Sequence, residues 1–376
     1  MRVPPFSLEK QLSEIGQELE EAVLRVLHSG QYIGGEEVKS FEDSFSKIVG
    51  TNYSVGCNSG TDALILALRS LDIGIGDEVI TSSFTFFATA EAISNVGAKP
   101  VFVDVDPKSY LIDLDLIEKS ITKETKAILP VHMFGQSVDM EKLMDIADRY
   151  GLKVIEDCAQ AAGAKWNDKS VGSWGDLGCF SFFPTKNLGA GGDAGVVATS
   201  NEILSKRIRQ LSVHGMPQRY VHTELGYNSR LDALQAAILN VKLPKLSKWV
   251  KQRDKVALRY QECLKDLPGL ELPQVANPFI STHAWNQFVV KVGDYSGTKF
   301  LTNEKFVSEE PEDVSAGLCR DWLKKNLEEL GVRTIIYYPI PIHLQPAYKN
   351  LGYGVGSLPL TEKLSNQVLS LPIYPE

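Results

Sequence analysis

Lys153-Val-Ile-Glu-Asp157-Cys-Ala-Gln160, followed by Ser181-Phe-Phe-Pro-Thr-Lys186-Asn-Leu-Gly-Ala190, decides how the chain is read. The first stretch is an apolar strand that delivers a carboxylate at its C-terminal end. The second places a lysine among small and hydroxyl-bearing residues that allow close approach to a phosphate. A lysine that holds an aldehyde as a Schiff base, and a carboxylate that keeps a pyridine nitrogen protonated, are the two groups that pyridoxal phosphate chemistry needs. Each alone has an ordinary reading, since carboxylates are common at strand ends and most lysines are solvated. A charged Asp157 after a run of apolar residues, however, calls for a cationic partner, and a pyridinium would be one. Gln160, one helical turn on, is placed to donate to a phenolic oxygen on such a ring. The order carboxylate, then lysine, is more specific than either part.

Outward from this pair the chain alternates short apolar runs with helical patterns. Strands are expected over 53–57, 78–81, 100–104, 127–131 and 153–156, with helices near 60–71, 84–96, 113–120 and 138–149. Further strands at 178–182 and 195–199 flank the lysine loop. Such alternation predicts an α/β fold with a largely parallel sheet covered on both faces. In open sheets of this kind ligands collect at the carboxyl ends of the strands, where both Asp157 and Asn58-Ser-Gly60-Thr61-Asp62 fall. The latter segment opens a helix after a strand, so its backbone amides and hydroxyls form a candidate phosphate site; a plain N-cap by Ser59 or Thr61 is the simpler alternative. Ser82-Ser-Phe-Thr-Phe86-Phe87 follows the next strand, and Phe86 is the aromatic chosen to stack on a flat cofactor ring.

Leu8, Leu12, Ile15, Leu19, Val23 and Leu27 mark an amphipathic helix over 8–29, which Gly30, Gly34 and Gly35 break. Residues 229–265 read as helical with a kink at Pro244. After Pro268 the alternation stops, which predicts a smaller α+β C-terminal domain. The polar segment 297–315 reads as a solvated loop.

A net charge of −8 argues against a nucleic-acid partner. No run approaches the length of a membrane span, and the start shows no secretory pattern. Five scattered cysteines without a Cys-x-x-Cys suit a reducing cytoplasm. The histidines show no ligand spacing, so no metal site is expected. Gly189-Ala-Gly191-Gly-Asp-Ala194 spells a dinucleotide fingerprint but precedes a strand instead of following one, which removes its physical basis.

With these residues in hand, the chain resembles the DegT/DnrJ/EryC1/StrS family of nucleotide-sugar aminotransferases. The likeness runs from Pro4-Pro-Phe to Leu371-Pro-Ile-Tyr. It is carried by Gln31-Tyr-Ile-Gly-Gly-Glu-Glu, Asn58-Ser-Gly-Thr-Asp-Ala-Leu, Ile155-Glu-Asp-Cys-Ala-Gln, Phe183-Pro-Thr-Lys-Asn-Leu-Gly, Gly226-Tyr-Asn-Ser-Arg-Leu-Asp and Tyr338-Pro-Ile-Pro-Ile-His-Leu-Gln-Pro. The resemblance implies a fold-type I transferase. Its large domain holds a mostly parallel seven-stranded sheet, and the smaller α+β domain lies at the C-terminus. The corresponding segments are an N-terminal helical stretch over 1–30, a cofactor-binding domain over 31–240 and a small domain over 241–376.

By matching position, Lys186 would be the Schiff-base lysine and general acid–base, Asp157 the pyridinium partner, Gln160 the contact to the phenolic oxygen, and Phe86 the stacking ring. Gly60, Thr61 and Ser181 would bind the phosphate, completed by Asn228 of the partner subunit in a homodimer with shared active sites. Arg230, Tyr338 and His343 fall in segments that border the sugar nucleotide. Glutamate is the implied amino donor, and the product an amino sugar of the kind built into polysaccharides such as O-antigen. The sequence Lys186-Asn-Leu-Gly-Ala-Gly-Gly-Asp193-Ala-Gly resembles the branch that aminates 3-keto sugars. A 4-keto substrate is the alternative, and that branch usually carries Glu-Gly-Gly there. Tyr337 stands where members acting on uronic acids often have histidine. Relatives usually continue beyond 376 into a last helix. A dehydratase of the same fold would replace the lysine by histidine. Outside enzymes, a regulatory protein that binds the cofactor without turnover is the competing reading.

Overall fold

The computed structural model describes residues 2–275, 277, 279–293 and 316–375; the polar segment 297–315 lies outside them. The chain opens with helices α1 (Glu9–Ser29) and α2 (Glu36–Val49). Strand and helix then alternate through β1 (Tyr53–Cys57), α3 (Gly60–Ser70), β2 (Glu78–Ser82), α4 (Phe87–Asn95), β3 (Lys99–Val103), α5 (Leu114–Ile117), β4 (Thr125–Leu129), α6 (Met140–Tyr150) and β5 (Lys153–Asp157). A short hairpin of β6 (Lys165–Trp166) and β7 (Lys169–Ser170) precedes β8 (Leu177–Ser181) and β9 (Gly195–Thr199). Helices α7 (Glu202–Leu211), α8 (Ala233–Lys242) and α9 (Leu246–Leu264) follow.

The main sheet has seven strands in the order β1-β9-β8-β5-β4-β2-β3. Strands β2, β3, β4, β5 and β8 pair in parallel, whereas β9 runs antiparallel to both β8 and β1. The mostly parallel sheet expected from the sequence is therefore present. Burial on both faces explains why its strands read as apolar runs and not as alternating ones. One face packs Leu64, Leu68, Ile93 and Leu211 from α3, α4 and α7 against Val55, Ile155 and Val197. The other packs α1, α2 and α8 through Val26, Phe41, Phe45 and Leu239. The N-terminal helix thus belongs to the core of the large body.

A second, three-stranded antiparallel sheet joins β10 (Leu270–Glu271), β12 (Phe288–Val292) and β13 (Val368–Leu371), while β11 (Ser281–Thr282) pairs with β6. With α10 (Ala316–Glu329) it surrounds a separate core that includes Trp285, Phe288 and Leu369, while α11 (Pro359–Gln367) places Leu364 in a different cluster with Ile80 and Ile128. Helix α9 serves both cores, with Leu246 and Val250 in the first and Ala257 in the second. The break expected at Pro244 is a 3-10 turn over Leu243–Lys245.

The sequence reading placed no individual helix in the C-terminal domain, and ahead of that domain it left two helices unassigned. In α2, Val38, Phe41, Phe45 and Val49 face the core at helical spacing, but the Gly34-Gly35 break directly before them hid the restart. In α7, Asn201 caps the helix by accepting from the amides of Ile203 and Leu204.

Candidate active site

Ser181 ends β8, and the chain beyond it is fixed from several sides. Phe182 packs edge-on against Phe41 and Phe45, with ring centroids 5.4 and 5.2 Å away. The amide of Ala190 returns to the carbonyl of Phe182 at 2.7 Å, closing a loop around Lys186. The buried ammonium of Lys242 donates to the carbonyl of Gly189 at 2.8 Å. Asn187 donates to the carbonyl of Ala284 at 2.5 Å and accepts from Asn286 at 2.7 Å. A loop held this firmly presents Lys186 at one place.

That place is a cavity of about 490 Å³ at the carboxyl ends of the strands, where Lys186 meets Asp157. Burial drives the Lys186 ammonium down to about 8 from its ordinary 10.5, against the pull of Asp157, which favours the charged form. Burial pushes the Asp157 carboxyl above its usual range, opposed by the amide of Ala159, the hydroxyl of Thr89 and the charge of Lys186. Thr89 donates to Asp157 Oδ2 at 2.8 Å, and the Ala159 amide to Oδ1 at 3.1 Å. Thr85 and Thr89 share a hydrogen bond of 3.0 Å behind them.

Gln160 is fixed at both ends of its amide, accepting from the amide of Phe134 at 2.7 Å and donating to the Tyr338 hydroxyl at 3.0 Å. The Phe86 ring, more than half exposed, stands 6.0 Å from that of Tyr338. At the other end of the cavity α3 begins. Ser59 caps it by accepting from the Asp62 amide at 3.1 Å, and Gly60 and Thr61 form its first turn beside Ser181. A Cβ on Gly60 would lie 2.6 Å from Ser181 Cβ, so only glycine lets the helix start come this close to the strand end. The turn offers backbone amides and the positive end of the helix dipole to an anion.

The sequence-selected residues thus separate into two groups. Lys186, Asp157, Gln160 and Phe86 line one cavity together with Gly60, Thr61, Ser181 and Tyr338. Asn228 and Arg230 do not; both are exposed, and Arg230 donates to Asn228 Oδ1 at 2.8 Å. His343 is also outside it. Its buried ring is engaged on both nitrogens, by Ser83 at 2.8 Å and Glu362 at 3.1 Å, so the side chain does not reach a sugar from here.

Sequence reasoning missed Thr89, although its position three residues after Phe86 on the first turn of α4 was a usable signal. It also gave no role to Gln287 in the lining, whereas Thr185, read as a hydroxyl neighbour of Lys186, is there. Nor did spacing reveal that His132, Glu156 and Cys158 converge within 4.8 Å. There the Glu156 carboxylate accepts from the amides of Gly172, Trp174 and Gly175 and from His132. His132 Nδ1 in turn accepts from the Val138 amide.

Pyridoxal phosphate fits this donor set. An amine with a lowered proton affinity, a buried carboxylate short of a cation and a helix start open to an anion are the three things it would engage. Among the described lining residues Lys186 is the sole cation.

Comparison with known proteins agrees with this geometry. The model of the DegT/DnrJ/EryC1/StrS aminotransferase family matches residues 13–376. A Geobacillus stearothermophilus protein named "Pleiotropic regulatory protein" is 42% identical over 100% of this chain and 94% of its own. The UDP-N-acetyl-3-dehydro-alpha-D-glucosamine 3-aminotransferase of Acidithiobacillus ferrooxidans is 42% identical over 100% of this chain and 93% of its own. The crystal structure of Streptomyces venezuelae DesV in complex with a ketimine intermediate superposes with a TM-score of 0.90 at 41% identity, covering 100% of this chain and 94% of that one. Matched by the family model over residues 13–376 and by relatives along its whole length, this protein is a member of the DegT/DnrJ/EryC1/StrS aminotransferase family.

Proposed function

We propose that the chain is a pyridoxal phosphate-dependent aminotransferase that takes an amino group from glutamate and gives it to the keto carbon of a nucleotide diphosphate sugar, most favourably a 3-keto sugar. The observation that carries the reading is the meeting of Lys186 with buried Asp157 in one cavity, with the amine brought down to about 8. Pyridoxal phosphate, when bound, supplies the electron sink for the carbon that loses a proton and carries the amino group between the two substrates. Lys186 would hold it and Asp157 would face its ring nitrogen. Gly60, Thr61 and Ser181 would take the phosphate, Gln160 the phenolic oxygen and Phe86 one ring face.

Near pH 8 about half of the Lys186 amine is neutral, so Nζ can accept a proton from the donor's α-carbon and return one in the opposite half-cycle. Thr89 and the Ala159 amide orient Asp157 for its partner. Gln160 holds the Tyr338 hydroxyl, and Phe86 and Tyr338 narrow the entrance.

That Lys186 is the sole cation among the described lining residues supports a homodimer with shared sites. A phosphate and a sugar diphosphate need more positive charge and more donors than this cavity has, and Asn228 and Arg230 stand exposed, free to serve the partner's site. We assign residues 31–240 to the cofactor-binding body and 241–376 to the smaller one. The five free cysteines favour a reducing cytoplasm, and no described helix is long and apolar enough to cross a membrane.

Amination at C3 draws support from the relative whose name specifies a 3-aminotransferase and from Asp193-Ala-Gly after the lysine loop. A relative with a regulatory name is equally similar, but a complete lysine, carboxylate and glutamine set favours turnover over silent binding. The test is spectroscopic. Glutamate added to cofactor-loaded protein should convert it to the amine form, and a 3-keto nucleotide sugar should convert it back faster than a 4-keto one. Lys186→Ala should do neither. Retained transamination in that variant, or no response to glutamate in the unaltered protein, would refute the reading.

A further inference from the structure

We propose that Ser83, His343 and Glu362 form a tether that positions Tyr338 against Phe86 and so sets the width of the cavity mouth. The inference rests on Tyr338 being a substrate wall, as read above. Ser83 lies three residues before Phe86, in the turn after β2, and His343 lies five residues after Tyr338. The two segments are joined by three hydrogen bonds at one residue. The carbonyl of Ser83 accepts from the Ile342 amide at 3.2 Å. Its hydroxyl oxygen accepts from the His343 amide at 3.0 Å and lies 2.8 Å from His343 Nδ1.

These bonds fix the ring's tautomer. Because the Glu362 carboxylate can only accept, the ring hydrogen sits on Nε2, 3.1 Å from Glu362 Oε1, and Nδ1 accepts the Ser83 hydroxyl hydrogen while Ser83 Oγ accepts the His343 amide. Glu362 is itself held by the amides of Gly356 and Leu358. A serine, a histidine and a glutamate in this order could suggest a hydrolase. Here Ser83 is 1% exposed and does not line the cavity, so no substrate reaches its oxygen.

Tyr338 needs such a tether. Among the described residues, no backbone–backbone hydrogen bond anchors residues 336–340, which run between Ile335, paired with Ser370, and the turn in which the Leu344 amide donates to the Pro341 carbonyl and the Ile342 amide to Ser83. The Tyr338 hydroxyl is held by Gln160, and its chain is held by His343. Ile342 adds an apolar anchor in the cluster with Ala90, Phe102 and Tyr348. His343 is therefore a positioning residue, acting on the sugar side of the cavity and leaving the Lys186–Asp157 pair alone.

The experiment uses the holoenzyme and the variants Ser83→Ala, His343→Gln, His343→Asn and the Ser83→Ala/His343→Gln double. Each of the first two should raise KM for the nucleotide sugar about tenfold, and the double variant should be no worse than either, because both remove one link. The rate of the glutamate half-reaction should change by less than about twofold, since neither Lys186 nor Asp157, which carry its proton transfer and face the ring nitrogen, is touched. His343→Asn, whose amide oxygen can take the Nδ1 position, should recover part of the loss that His343→Gln shows. In cofactor-free protein, the amides of Ile342 and His343 should exchange hydrogen faster in both single variants. Penalties that add, KM values for sugar and glutamate that rise together, or unchanged exchange at 342–343 would overturn the tether. If the unaltered protein turns over no nucleotide sugar, the substrate reading fails, and the exchange measurement still decides the tether.

Discussion

The sharpest consequence of the site is the ionisation of Lys186 before any cofactor arrives. With the amine near 8, about 9% of it is neutral at pH 7; at its ordinary 10.5 the neutral share would be about 0.03%, roughly three-hundredfold less. Cofactor-free protein exposed to trinitrobenzenesulfonate should therefore be labelled first at Lys186, with a rate that rises to a midpoint near pH 8 while surface lysines respond some two units higher. Asp157 favours the ammonium. Asp157→Asn should therefore move the midpoint lower still, even though it weakens the hold on the cofactor ring. The same shift appears in stability. Between about 8 and 10.5 the unfolded chain keeps a proton on this amine that the folded chain has lost, so stability contributed at this position rises with pH across that window. Below 8 both states hold the proton and the desolvation cost is fully present. The unaltered protein should gain urea stability relative to Lys186→Ala from pH 8 to 10. A labelling midpoint near 10.5, or an upward shift in Asp157→Asn, would show that the amine is solvated and the argument wrong.

Three further outcomes follow from single contacts. Thr89→Val removes the hydroxyl from Asp157 Oδ2 and leaves that oxygen one donor short, so kcat should fall about tenfold. The acid limb of the pH–rate profile should move upward, because that donor favours the ionised carboxyl. Gly60→Ala should raise the Kd for pyridoxal phosphate by about tenfold or more through the 2.6 Å clash with Ser181 Cβ. Because Ser181 is itself assigned to the phosphate, the test compares penalties: Gly60→Ala should cost less in a Ser181→Gly background than in the unaltered protein, and an equal cost would mean the loss comes from elsewhere. Glu156→Gln places an NH2 against backbone donors in a fully buried site and should lower unfolding free energy by about 3 kcal/mol in urea melts.

The strands and the Lys186–Asp157 pair were legible because each depends on local sequence: apolar runs bounded by turns, and residue types at a strand end. Contacts made by the topology were not. Thr89 reaches Asp157 across 68 residues of chain only because β2 and β5 both flank β4 in the sheet. Gln160 finds the Phe134 amide through a turn in which Phe134 has a φ of 58°, a conformation that nothing in its side chain announces. His343 sits in a matching segment, and its residue type invites a ligand role. Its burial against Ser83 and Glu362 is decided by where the turn after β2 and the first turns of α11 reach its ring. Residue identity therefore picked out residues that share one cavity, while the contacts around them had to wait for the fold.

Glu156 and Asp157 show how one strand end serves both purposes. Successive side chains on a strand leave by opposite faces, so two adjacent carboxylates of nearly equal chemistry enter different surroundings. Glu156 accepts from three amides and one imidazole, about the four donors that a carboxylate can take. It fixes the 172–175 turn and has nothing left for a ligand. Asp157 accepts from one amide and one hydroxyl, and its buried oxygens keep lone pairs unsatisfied toward the cavity. An under-satisfied buried carboxylate is costly in isolation and is relieved by a cation, which makes the site ready to receive a protonated ring nitrogen. The difference between a structural acid and a functional one here lies in the number of donors already committed to each.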